Sequence, residues 1–299
     1  MTDISWLWAV FTVLAAAGQT ARNAMQRELT TSLGTVGATH VRFLFGFPFA
    51  LLFLAGVMIF SGAALPRPSW SFVPWLLAGA LFQIGATATM LATMGERSFV
   101  VTIAYIKTEP IQVAIFGLLF LGDALNVWMM VAIVVATFGV VVMSFKPGAT
   151  GGIRPTLIGL ASGGMFALSA IGYRGAILNL GHPNFVMAAT FTLAIGLVLQ
   201  ATLLSAYLAV RDRAVLTAIV AQWRPSLFAG FMGATASQFW FLAFAIATAA
   251  SVRTLALVEV LFAQAISVFV FKQKVTARES FGMAMIVIGV ILLIWSHPT

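Results

Sequence analysis

The chain has no cysteine, which removes disulfide frameworks, thiol nucleophiles and thiolate metal sites together. Charge is almost as scarce: 8% of the 299 residues are Asp, Glu, Lys or Arg, against about 25% in a soluble domain. With 61% hydrophobic residues, the chain cannot be a water-soluble fold. Its three histidines, His40, His182 and His297, lie far apart in sequence, and no HExxH, Ser-His-Asp arrangement or GxxxxGK[ST] occurs. An enzyme is therefore not expected, and neither is a cofactor or a metal. An integral membrane enzyme is kept as the rival reading from a different class. No basic residue precedes the first apolar run, MTDISWLWAV, so that run reads as a span and not as a cleaved signal.

What the chain has is apolar runs. A bilayer span takes about 20 predominantly apolar residues. Ten candidates follow, near 4–21, 36–60, 70–94, 98–121, 124–145, 155–179, 184–209, 226–248, 251–271 and 279–296. Connections are short, apart from RNAMQRELTTSLG after the first span and RDRAVLTAIVAQWRPS after the seventh, which suits an interfacial helix. The turn cluster KPGATGGIRP divides the chain into residues 1–148 and 149–299, with five spans each. The net charge of +8 comes from basic residues lying mostly between apolar runs, which is a topology signal and not a nucleic-acid surface. Arg22, Arg27, Arg42, Arg97, Lys146, Arg154, Arg211, Arg213, Arg224, Lys272, Lys274 and Arg278 mark one face as cytoplasmic, which puts both termini on the other.

The two halves repeat each other. Glu109, Gly139 and Val140 match Glu259, Gly289 and Val290 at one offset of 150 residues. LLAG (76–79) answers LFAG (227–230), and ARNA (21–24) answers YRGA (173–176). Five spans is an odd number, so the second copy must enter the membrane from the opposite side. The expected fold is an all-α integral membrane protein, with ten transmembrane helices as two inverted five-helix repeats around a central cavity. Repeats of that kind place a solute site near the midplane and permit alternating access.

The Glu109-Pro110 pair in a span, the following Leu121-Gly122-Asp123 turn and the late Gly139 resemble the drug/metabolite transporter superfamily. The layout is that of its ten-span members built from two EamA-type repeats. Within that superfamily the chain is most similar to YddG-type exporters of aromatic amino acids. The second copy departs from the pattern: its turn is Phe271-Lys272-Gln273, and Val260 replaces the proline. The resemblance implies a basket of spans one to four and six to nine, with five and ten outside, and cytoplasmic termini, opposite to the charge count. It implies a secondary transporter in the bacterial inner membrane, exporting aromatic or other amphipathic amino acids. Cationic drugs or other metabolites are the alternative cargo. The partners expected are a small-molecule solute and the lipid bilayer, with proton coupling left open, for a chain acting as a monomer.

Candidate site residues follow from mid-span polarity. Gln83 in span three and Ser237, Gln238 and Trp240 in span eight should face each other, Trp240 offering a surface for a planar ring. Each also fits a helix-packing role. Lys107 suits either a solute carboxylate or an ion pair with Glu259, and Tyr105 and Tyr173 can hydrogen-bond a solute. Glu109 and Glu259 are the acids well inside spans, either proton carriers or fixed partners, and His40 titrates in the physiological range when exposed. Arg174 is expected to snorkel from a span end. Trp6, Trp8, Trp70, Trp75, Trp223 and Trp295 read as belt residues.

Overall fold

The computed structural model describes residues 6–96, 106–144, 153–269, 272 and 275–296, and every regular element among them is helical. In chain order these are α1 (Leu7–Leu44), α2 (Phe47–Ser61), α3 (Phe72–Glu96), α4 (Glu109–Phe116), α5 (Val127–Ser144) and α6 (Ile153–Asn179). Then come α7 (Phe185–Arg211), α8 (Arg213–Ala221), α9 (Trp223–Ile246), α10 (Ala249–Leu255), α11 (Val258–Phe269) and α12 (Ala277–Ser296). Six helical stretches among the described residues are long and apolar enough to cross a bilayer, and two shorter apolar ones, Glu109–Leu121 and Val127–Met143, accompany them. The protein is all-α and membrane-embedded. Bulky apolar side chains point outward along its helices, among them Phe60, Ile59, Val134 and Ile291.

The connection expected after the first span is helix instead of loop. Ala24, Met25, Gln26, Arg27, Glu28 and Leu29 are good helix formers, and Leu29 and Leu33 are buried, so α1 runs on to Gly34. There the backbone turns left-handed (φ 67°), which glycine adopts without a Cβ clash, and helix resumes in a new direction. The segment after the seventh span does form a short helix, α8, whose Ile219 is buried beside Leu29 and Leu33. Asp212, Asn184 and Thr248 cap α8, α7 and α10 through side-chain oxygens that accept N–H groups of the first turn.

Two segments break where the sequence carries its intramembrane charges. The first is interrupted at Lys107–Thr108, before α4; Pro110 sits in the first turn of α4, where its missing N–H breaks no helical bond. The second is interrupted at Ala256–Leu257, between α10 and α11. Tight bonds span that break, from Leu257 N to Thr254 O, Glu259 N to Ala256 O and Val260 N to Leu257 O, each 3.1 Å. After α4 a single π turn, Gly117–Leu121, ends on left-handed Gly122 (φ 67°). Lys272, one offset of 150 further on, is also left-handed (φ 53°) although it has a side chain.

The closest helix pairs are α1 with α9, α3 with α6 and α5 with α12, while α7 packs on both α2 and α9 and α4 on both α6 and α10. Lipid is as apolar as leucine, so close packing and polar contacts must hold such pairs together. At the α5–α12 crossing a Cβ on Gly139 would lie 2.7 Å from the Gly282 carbonyl oxygen, and one on Gly289 would lie 2.7 Å from Ala136. Backbones this close require glycine. The polar residues gather inward, where α1, α3, α4, α6, α9, α10 and α11 converge.

Candidate functional site

The central charges form two crossing ion pairs. Lys107, at the first helix break, pairs with Glu259 at the start of α11. Arg253 on α10 lies 3.1 Å from Glu109 at the start of α4, through Nε and Oε1. That N–H does not point at the oxygen, so the second contact is a charge pair and not a directed hydrogen bond. All four residues are buried. Each carboxylate begins a half-helix, where the N-terminal dipole favours negative charge, and each is met by a cation from the other broken segment. Of the two roles open to Lys107, the ion pair is the one observed.

Arg253 also covers Trp240. Its guanidinium carbon is 4.3 Å from the indole centroid, Phe244 stacks on the ring's neighbourhood at 6.1 Å, and the indole N–H donates to Gln19 Oε1 over 3.2 Å. A cation–π contact already occupies the surface expected for a planar solute.

Arg22 and Arg42 correct the sequence reading. Counted as cytoplasmic-face charges, they are 1% and 2% exposed, inside the bundle. The reason is the length of α1, which puts Arg22 in mid-helix. Arg22 donates to Asn23 Oδ1 from Nε and Nη2 (3.2 and 2.7 Å), while Nη1 has no acceptor. Arg42 donates to Thr87 of α3 (3.2 Å) and to Ser237 of α9 (3.4 Å), with Nε left without one. A sequence signal existed: Gln19, Arg22, Asn23 and Gln26 follow the i, i+3, i+4, i+7 spacing of one helix face.

Gln83 and the Ser237 group do not touch; Arg42 stands between α3 and α9. Gln83 Oε1 accepts from Tyr173 Oη (3.2 Å) and from Gln200 Nε2 (3.1 Å), so Tyr173 is a buried network member. Gln238 turns away and donates to Thr190 (2.7 Å) on the wall of an apolar lateral groove of about 530 Å³ between α2, α7 and α9. His40, which would titrate in the physiological range if exposed, is instead buried and shares a hydrogen bond with Ser205 of α7 (2.9 Å). Arg174 does not snorkel. It meets the Asp123 carboxylate at 3.2 Å and donates to the carbonyls of Phe244 (2.7 Å) and Ala247 (2.5 Å), tying α6 to the turn after α4 and to the end of α9. Trp8 is buried, whereas Trp6, Trp70, Trp223 and Trp295 are exposed as belt residues would be. Tyr105 lies outside the described residues.

Arg22, Lys107, Glu109, Arg253 and Glu259 line one central cavity with Gln19 and Asn23, of about 10 Å³. That is room for about one water. Among the described residues no set of His, Cys, Asp or Glu comes together to hold a metal.

No protein-family model matches the chain, and no curated protein matches it. The likeness is in shape. A solved structure described only as "Crystal structure of protein" superposes over 98% of this chain and 97% of its own, with a TM-score of 0.72 at 13% identity. At that identity the likeness establishes a shared fold.

Proposed function

We propose that the chain is a secondary transporter that carries small organic metabolites across the bacterial inner membrane by alternating access. One observation carries this reading: two broken helical segments hold each other's carboxylates with buried cations around a small central cavity. Charge at mid-membrane is expensive, about 2.5–3.5 kcal/mol per group on insertion scales, and marks solute or ion pathways. Discontinuous helices meeting at the midplane are the means by which inverted repeats build such a site.

The proposed architecture is ten spans in two inverted copies. Several reciprocities support it. The pairs α1–α9 and α3–α6 exchange under a two-fold that relates the copies, while α5–α12, α2–α7 and α4–α10 map onto themselves. Gly139 meets Gly282 and Ile286, and Gly289 meets Ala132 and Ala136, which is the same contact read through the 150-residue offset. The left-handed turn recurs at Gly122 and Lys272 despite the change of residue. The likeness to the EamA-type drug/metabolite transporters agrees with this layout, with aromatic amino acids as the first solutes to test.

Purified protein in proteoliposomes tests the reading. Preloaded solute should drive accumulation of external labelled solute without nucleotide or added metal. Failure across amino acids, organic acids and amines would leave the integral membrane enzyme as the better reading.

A further inference from the structure

Six buried charged side chains meet at the centre of the bundle. Arg22, Arg42, Lys107 and Arg253 are cations, and Glu109 and Glu259 are acids. Both acids are already engaged, by Lys107 and Arg253. Among the described residues no carboxylate lies within ion-pair distance of Arg22 or Arg42, although Glu259 is near enough to attract Arg22; four cations against two acids leave the cluster with two positive charges in excess. We infer that the solute is a small organic anion whose carboxylate or phosphate is held by Arg22, with Arg42 reinforcing the charge.

The two arginines act at one corner. A Cβ on Gly233 would lie 3.3 Å from the side chains of both, so their stems cross the same glycine of α9. Arg22 lines the central cavity, and its Nη1 lacks an acceptor; Arg42 has the same shortage at Nε. A guanidinium is a fixed fork of donors matched to an oxyanion, and a buried one without a counter-ion is a strong demand for it. The proposed repeat points to where a protein counter-ion would have come from. Arg174 matches Arg22 in the YRGA and ARNA segments and has Asp123 as partner, but the residue 150 positions after Asp123 is Gln273. The second copy thus offers no acid there, and an anionic solute supplies the missing charge. A zwitterion would leave the excess uncorrected, and an amine would add a fifth cation. The cavity, at about 10 Å³, admits the solute only when its walls part, so the inference rests on the alternating-access reading.

The full chain in proteoliposomes, assayed by counterflow, decides the point with a charge series on one ring. Phenylpyruvate is anionic, phenylalanine zwitterionic and phenethylamine cationic, while succinate and glycerol 3-phosphate separate carboxylate from phosphate without the ring. At least one anion should exchange about tenfold or more faster than phenylalanine and phenethylamine. Arg22→Gln should raise the half-saturating anion concentration by about ten- to a hundredfold, with partial rescue by Arg22→Lys. Phenylalanine or phenethylamine outrunning every anion would overturn the inference and leave the transport reading standing. So would a folded Arg22→Gln variant with unchanged anion affinity. If that variant does not fold, the charge series on the native chain decides by itself. Movement of no solute of any charge would overturn both.

Discussion

Lys107→Met is the sharpest perturbation of the central network. It removes the cation from a pair whose members are each 5% exposed, leaving the Glu259 carboxyl without its ion-pair partner in a site with little water. Breaking a buried pair by removing one partner costs about 3–5 kcal/mol, far above the value of the same pair at a surface. At about 2.1 cal/mol/K of unfolding entropy per residue, a chain of 299 residues shifts its Tm by about 1.6 °C per kcal/mol. The variant should therefore melt about 5–8 °C lower in detergent. Lys107→Met combined with Glu259→Gln removes both charges and should recover at least half of that loss, because an uncharged pair no longer requires a counter-ion. Melting followed by tryptophan fluorescence, on all four members of the cycle, measures the coupling directly. Additive losses in the double variant, or no loss in the single one, would refute the argument that the pair is a buried unit.

Three further outcomes check the architecture. Lys272 holds a left-handed backbone with a side chain and is exposed, so Lys272→Gly should stabilise the protein by about 1 kcal/mol, read as a small rise in Tm. Gly139→Ala should destabilise it by about 1–3 kcal/mol through the close α5–α12 contact, whereas Gly56→Ala, with open space around its Cβ, should be neutral or slightly stabilising. Because the chain has no cysteine, single cysteines at 213 and 299 report topology cleanly. The charge count expects labelling at 299 by an impermeant reagent in intact cells, and labelling at 213 alone would establish the reverse orientation.

The sequence revealed the membrane character and the acids at 109 and 259, because mid-span charge and a fixed offset survive in one dimension, but it read both charged segments as continuous spans and missed the breaks at Lys107–Thr108 and Ala256–Leu257. It left Lys107 open between two roles, since pairing with Glu259 depends on how two distant segments meet. It misplaced Arg22 and Arg42, because hydropathy assigns a basic residue at the edge of an apolar run to the interface. The continuation of α1 past Arg22 depends on helix propensity and on the burial of Leu29 and Leu33, which the apolar window does not see. Trp240 was read as a mid-span aromatic open to a planar ring, but its partner Arg253 comes from another helix that no local pattern announces. Arg174 was read from its own span, although its carboxylate, Asp123, lies in the turn after α4.

Alternation of one cavity between the two faces is the central claim, and a cysteine at Asn23 tests it most directly. Asn23 is 4% exposed and lines the cavity beside Arg22. In vesicles of either orientation, Asn23→Cys should react with an impermeant thiol reagent from both faces, with transported solute slowing the reaction and no open pore to a small tracer. Reaction from one face only, whatever solute is present, would contradict the account.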